Sequence, residues 1–389
     1  SLHSALTQLE TRADAGQPDE TPLREAAHQL ATQFDAKNGG FGDAPKFPHP
    51  TTQRFLLREG HRRDNASTRQ MAELTLEKMA NGGIHDHLGG GFCRYSVDAQ
   101  WMIPHFEKML YDNGQLLAVY AEAWESGGQR PLFKHVCERT AAWLMREMQA
   151  PAGGYYASLD ADSEGEEGLF YIWTPAKVAT LLEPDEYRVF AMRFGLDRAA
   201  NFEGNWHLHV FADTAQLEQA TGLKARQIRG LLRSAREKLL AEREKRVRPG
   251  RDEKILTSWN ALMIKGMAAA GRVFDRPDWV DSAERALTYL IEHHWRDGRL
   301  LATSREGVAR LNAYLDDYAY LIDAILALLQ ARWNSTYLAF AHELADRLLL
   351  HCGDPRHGGC FFPSADHATL RRRPKPLGGG GLPRGNGVA

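Results

Sequence analysis

Gly89-Gly90-Gly91-Phe92 returns in altered form as Gly39-Gly40-Phe41, Gly153-Gly154-Tyr155-Tyr156 and Gly358-Gly359-Cys360-Phe361-Phe362, with a weaker copy at Asp297-Gly298-Arg299-Leu300-Leu301. Outside the irregular middle of the chain, neighbouring copies lie about 50 to 65 residues apart, room for two helices and a loop, which is how a repeat of helical hairpins reads in sequence. Paired glycines supply the positive φ that ends a helix, and the aromatic residues after them can begin a short extended segment across the end of a bundle. The expected fold is all-α: an (α/α) toroid of helical hairpins, with the glycine-rich loops forming one rim of a cavity.

The segments between the turns support this reading. Apolar residues recur three and four apart in Leu116-Val119-Tyr120-Trp124, Leu262-Ile264-Met267-Val273, Ile322-Ile325-Leu328-Leu329 and Phe340-Leu344-Leu348, each one helix with a buried stripe. Sustained β alternation is not evident. Residues 150 to 223, with Pro151, Pro175 and Pro184, read as long connections and short helices. The expected organisation is one domain over residues 1–370 and a flexible Gly/Pro/Arg-rich tail over 371–389.

Composition narrows the function. The chain is 43% hydrophobic and 25% charged, with 48 basic against 50 acidic side chains, an ordinary globular balance. A formal charge of -2 gives no field to draw in a polyanion, so nucleic acid is not an expected partner. The basic stretch from Arg243 to Arg251 closes a run from Lys224 in which both signs alternate with leucines, as on a solvated helix face. No run of about 18 apolar residues predicts a membrane span, and Ser1-Leu2-His3 does not open a signal pattern, so the expected location is cytoplasmic. Cys93, Cys137, Cys352 and Cys360 form no C-x-x-C pair and read as buried thiols.

The densest polar cluster runs from Gly82 to Asn113. Pro104 is expected to open a helix that carries His105, Glu107, Lys108 and Asp112 on its first two turns, with His105 and Asp112 on one face. Asp86 reads as a loop carboxylate available for acid–base work or sugar hydroxyls. The repeat should carry Asp160 and Asp162 to the same rim, and Asp316-Asp317 opens a later helix, where paired acids serve equally well as caps. These six, Asp86, His105, Asp160, Asp162, Asp316 and Asp317, are the expected catalytic residues. Expected substrate contacts near Asp86 are Arg94, Tyr95, Trp101, Phe106, Glu107 and Asp112; farther along the chain are Trp173, Trp259, Asn260 and Tyr318. Aromatic residues beside carboxylates suit pyranose rings, although core packing is the commoner fate of any one Trp. His85 and His87 are a poor metal pair at their i, i+2 spacing, and the acidic run from Asp160 does not complete a calcium loop, so no metal and no cofactor are expected.

Five longer motifs carry a resemblance. G-G-F-G-D-A-P-K-F-P (39–48), G-G-G-F-C-R-Y-S-V-D (89–98), W-M-I-P-H-F-E-K-M-L-Y-D-N (101–113), S-L-D-A-D-S-E-G (158–165) and K-I-L-T-S-W-N (254–260) resemble the thioredoxin-domain-containing, spermatogenesis-associated family, and L-D-D-Y-A (315–319) extends the match. The resemblance implies a helical region similar to six-hairpin glycosidases and N-acylglucosamine 2-epimerases, with a thioredoxin-like domain as an associated partner. Where the family resembles P-S-G-N-S-V-A followed by a further helix, this chain reads P-R-G-N-G-V-A (383–389), and the expectation is a fragment or a shortened homologue.

Three functions follow as expectations. The first is a carbohydrate-active, glycoside hydrolase-like enzyme that uses paired carboxylates on a small sugar-like substrate. The second is a sugar epimerase in which His105 exchanges protons with His85, His87 or His207. The third is a non-catalytic sugar-binding or scaffold module whose acids are all tied to Arg or Lys.

Overall fold

A computed structural model describes residues 19–367, 373–376 and 381–389. Expectations falling on 1–18, 368–372 and 377–380 lie outside the described residues. In chain order the helices are α1 (Thr21–Gln33), α2 (Pro50–Arg62), α3 (Ala66–Asn81), α4 (Leu110–Ser126), α5 (Pro131–Trp143, continued by a π turn Leu144–Met148), α6 (Pro175–Leu181), α7 (Pro184–Phe194), α8 (Thr214–Thr221), α9 (Ala225–Arg243), α10 (Thr257–Val273), α11 (Pro277–His294), α12 (Leu315–Ala331), α13 (Ser335–Cys352) and α14 (Gly385–Val388). Proline in the first turn opens α2, α5, α6, α7 and α11, where its missing N–H has no helical partner to lose. Asn65 and Asn334 cap α3 and α13 through their side chains.

The helices pair as α2–α3, α4–α5, α10–α11 and α12–α13. One member of each pair lies inside: α4 packs on α2 and α10, and α10 packs on α12. Burial follows position. Most of α4 and α10 is buried, whereas α1 buries none of its residues. Gly114 and Gly266 let α4 and α10 cross closely, since a Cβ on Gly266 would lie 2.3 Å from the Gly114 carbonyl oxygen.

The repeated turn is the same device each time. Phe34 bridges Phe41, His85 bridges Phe92, Gln149 bridges Tyr155 and Gly353 bridges Cys360, all antiparallel. In three copies an asparagine from the next helix, buried in the first two and half-buried in the third, closes the turn. Asn113 accepts from Phe92 N–H at 2.7 Å and donates to its C=O at 2.9 Å. Asn260 does the same to Tyr155 at 2.7 and 2.9 Å, and Asn386 to Cys360 at 2.7 and 2.7 Å. In the weak copy the Tyr318 hydroxyl takes this place, accepting from Leu300 N–H at 3.3 Å.

Short strands join the rim: β1 (Tyr95–Ser96), β2 (Pro104–His105), β3 (Lys108–Met109), β4 (Ser158–Leu159), β5 (Asp162–Ser163), β6 (Glu166–Glu167), β7 (Arg251–Asp252), β8 (Ile255–Leu256), β9 (Trp295–Arg296), β10 (Arg299–Arg305) and β11 (Val308–Asn312). β10 pairs antiparallel with β8, β9 and β11 and turns Leu300, Ala302 and Ser304 inward. This alternation escaped the sequence reading because two of the three inward residues are small or polar. The helix expected at Pro104 is likewise corrected: Pro104–His105 and Lys108–Met109 are strands paired to β1 and β4, and α4 begins at Leu110. His105 and Asp112 therefore do not share a helix face.

The irregular middle holds α6 to α9 around small cores of their own, including Trp173, Val178, Phe190 and Leu239. The expected solvated face of α9 is only partly so, because Ile228, Ala235, Leu239 and Arg243 are buried. Within the expected tail, Lys375 pairs with Asp354, and Gly385 N–H donates to Asp316 Oδ1 at 2.9 Å.

Asn260→Ala should strand the buried N–H and C=O of Tyr155 and lower unfolding stability by about 2 to 4 kcal/mol. Urea denaturation reads this, and an unchanged midpoint would show that the turn stands without its clamp.

Candidate functional site

Asp86 is buried at the base of the turn between α3 and α4. Its Oδ1 accepts from Arg243 Nη1 at 2.8 Å and from the N–H groups of Leu88 and Gly89 at 3.0 and 2.9 Å. Its Oδ2 accepts from Lys108 Nζ and Arg243 Nη2, both at 2.8 Å. Burial alone would raise this carboxyl, but the two cations and their hydrogen bonds hold it well below the ordinary carboxylate range. Asp86 is held as an anion at neutral pH with both oxygens engaged, and this corrects its expected role as an acid–base group. It locks α9 onto the toroid.

A second cluster has the opposite character. Asp112, in the first turn of α4, is buried, and its Oδ2 has no hydrogen-bond partner. Burial pushes its carboxyl up to about 8, with nearby Arg94 and a hydrogen bond from the Tyr111 side chain opposing and Glu107 adding to the rise. Arg94, at the start of β1, pairs with Glu107 at 3.1 Å. Tyr111 beside them is pushed up to about 12 by burial and the Asp112 charge, and its ring meets Trp259 edge-on at 4.8 Å. His105 Nδ1 lies 2.7 Å from Glu167 Oε1, its Nε2 lies 3.7 Å from Glu107 Oε2, and its ring stacks on Tyr95 at 5.1 Å. Arg94, Tyr95, His105, Glu107, Asp112 and Trp259 are thus brought together or linked through shared neighbours. The acid in this group was expected only as a substrate contact; its raised affinity for a proton depends on desolvation, for which the sequence holds no signal.

The inner helices also frame a cavity of about 270 Å³ lined by Pro50, Arg54, Gln115, Leu262, Lys265, Tyr320 and Asp323, among others. On α12 these positions continue upward to Asp316 by helical spacing. Asp316 accepts from Gly385 N–H, and burial raises its carboxyl. Asp317 turns aside: its Oδ1 accepts from Ser258 N–H at 2.9 Å and its Oδ2 from Tyr314 N–H at 2.8 Å, so it ties α12 to the start of α10. Burial pushes it up to about 7.

The remaining expected residues separate from this site. Asp160 and Asp162 are exposed on the β5–β6 rim, and neither is brought into a buried pair with Asp86. Trp101 is fully buried, donating from Nε1 to Asn38 O at 3.0 Å. Phe106 is core, packed on Tyr171, Phe202 and His207, and Trp173 belongs to the core of the middle helices. Asn260 and Tyr318 close turns of the rim. His85 and His207 are buried with pKa values lowered by burial to about 3 and about 4, and burial holds His87 well below its usual value, so these rings stay neutral. Among the described residues no group of three or more His, Cys, Asp or Glu could hold a metal ion.

No family model matches the chain. It is similar to Spermatogenesis-associated protein 20 of Rattus norvegicus, 36% identical over 401 residues that cover 93% of this chain and 51% of the relative. The Homo sapiens protein of the same name is 34% identical with the same coverage. The chain spans about half the length of the curated relatives it matches. In fold it is like the Lin0763 protein of Listeria innocua, with a TM-score of 0.50 at 11% identity over 91% of this chain and 72% of that one. A family 76 glycoside hydrolase from a bovine Bacteroides thetaiotaomicron strain gives 0.49 at 9% identity, over 85% and 52% of the two chains. A sugar epimerase from a ruminal bacterium gives 0.39 at 13% identity, over 90% and 92%. The fold is a mainly α-helical toroid of hairpins, like that of the Lin0763 protein.

The two buried aspartates should behave oppositely. Asp86→Asn leaves Lys108 and Arg243 buried beside a neutral group and should cost about 3 to 5 kcal/mol at neutral pH. With its folded pKa depressed, the Asp86 contribution is present above the unfolded value and is lost as pH falls through the folded one. For Asp112, folding raises the pKa from 3.8 to about 8, so across that window the folded chain holds a proton that the unfolded chain has released, and stability falls as pH rises. Asp112→Asn should therefore stabilise the protein increasingly from pH 4 towards 8; thermal melts across pH that run parallel to those of the parent would refute this.

Proposed function

We propose that this chain, which belongs to the spermatogenesis-associated protein 20 family, is a sugar-processing acid–base enzyme whose proton donor is Asp112. The observation that carries the reading is the buried carboxyl of Asp112, whose Oδ2 has no hydrogen-bond partner; burial and the ion-paired carboxylate of Glu107 raise its affinity for a proton. Two carboxyl groups in contrasting surroundings are what glycoside hydrolysis needs: one protonates the leaving oxygen while the other serves as base or nucleophile. In this reading Asp112 gives its proton to the glycosidic oxygen, and Glu107 receives the proton of the attacking water or attacks the sugar itself. Arg94 holds Glu107 in place, and Trp259 offers an apolar face beside the carboxyls.

The epimerase reading has less support. It requires two imidazoles exposed to one substrate, and His85 and His207 are buried, with His87 largely so. The binding-module reading required every acid to be tied to a cation, which describes Asp86 but not Asp112. Pairing with a thioredoxin-like domain and a cytoplasmic location rest on the sequence reading. Among the described residues no helix is long and apolar enough to cross a membrane.

The test is a thermal-shift screen against mono- and disaccharides, uronic acids, acylated amino sugars and sugar phosphates, followed by product analysis with any ligand that raises the melting temperature. Asp112→Asn should keep binding and lose turnover by about a hundredfold or more. Turnover that survives this substitution would remove Asp112 as the donor.

A further inference from the structure

Phe47 is one of the few large apolar side chains left exposed, 40% accessible. A single exposed apolar residue is ordinary. Phe47, however, is the outer member of a ladder. Its ring stacks on Tyr95 with centroids 4.7 Å apart and planes at 28°, and Tyr95 stacks on His105 at 5.1 Å and 25°. His105 reaches Glu107, and Glu107 pairs with Arg94. Three rings therefore run from solvent to the carboxyl cluster.

The outermost ring is also held in place. The preceding residue, Lys46, exchanges two backbone hydrogen bonds with Ser96, each 2.9 Å, so this loop is bridged to the strand that carries Tyr95. The buried Lys46 ammonium ends on Asp35 Oδ2 at 2.6 Å and Gly39 O at 2.7 Å. Phe47 thus has a fixed backbone, one face covered by Tyr95 and part of its surface open to solvent. A rigid aromatic face pays little entropy on binding and matches the C–H face of a pyranose ring.

We propose that Phe47 is the platform of a distal sugar subsite, and that the substrate is an oligosaccharide or a glycoside with a sugar leaving group instead of a free monosaccharide. The inference rests on the sugar-processing reading of the site. Because Tyr95 covers one face of Phe47, a sugar unit on the other face lies about three ring-to-ring steps from His105, a distance that a chain of three units spans.

The experiment is isothermal titration calorimetry of the chain, Phe47→Ala and Phe47→Trp with two probe series: mannose, α-1,6-mannobiose and α-1,6-mannotriose; glucose, cellobiose and cellotriose. In the series that binds, affinity should rise about tenfold from the monosaccharide to the trisaccharide. Phe47→Ala should remove that gain while leaving monosaccharide affinity unchanged, and Phe47→Trp should keep it. Sugar binding with no gain on lengthening, or a gain that survives Phe47→Ala, would overturn the subsite and leave the sugar reading standing. No binding by either series to folded protein, together with no hit in the wider thermal-shift screen, would overturn the sugar reading and the subsite with it.

Discussion

An asparagine amide that satisfies both backbone groups of one residue in the preceding turn is the constraint from which the site follows. Asn113, Asn260 and Asn386 each make this closure, and the Tyr318 hydroxyl makes a reduced form of it. An amide carries a donor and an acceptor in fixed geometry, so one side chain can do what a strand partner otherwise would. Each closure pins the start of an inner helix against the rim. The free N–H groups of a helix start favour a carboxylate that can accept from them. Asp317, accepting from one N–H in front of its own helix and one at the start of α10, shows such an acid used wholly for structure.

The large features of the fold were legible because they are periodic. Paired glycines at a steady interval and apolar stripes at helical spacing give the hairpins directly, and both depend only on local chemistry. The rim was misread where local signals pointed the other way. Pro104 resembles a helix opener, but its segment pairs with Tyr95–Ser96, a contact made across the loop. β10 hides its alternation behind Ala302 and Ser304, which fit beneath a strand without announcing one.

The site was legible in its neighbourhood and not in its roles. The segment from Gly82 to Asn113 does supply Arg94, Tyr95, His105, Glu107 and Asp112, yet it also supplies Asp86, chemically the same as Asp112. What separates them is Arg243, a residue 157 positions away that reaches Asp86 only because α9 folds back across the rim. Long-range pairing of that kind leaves no mark at either end of the sequence. Asn260 was placed near substrate for a related reason: a polar residue at a helix start beside Trp259 suits a ligand contact as well as it suits a turn clamp, and only the position of Tyr155 decides between them.

The contrast between the two aspartates bears on function. Both lose water on folding, and for both that loss favours the protonated form. Asp86 is then given two cations, two N–H donors and a core position, and its charge becomes part of the framework. Asp112 has Arg94 nearby, but the guanidinium is engaged by Glu107, and one oxygen of Asp112 is left without any partner. A carboxyl in that state weakens the fold at neutral pH, when a neutral residue of the same size would not. At Asp86 the fold supplies Lys108 and Arg243 to neutralise a buried acid, so it has the means to quiet a carboxylate. A buried carboxyl of raised proton affinity beside an ionic pair and an aromatic face is the arrangement that the proposed proton transfer draws on.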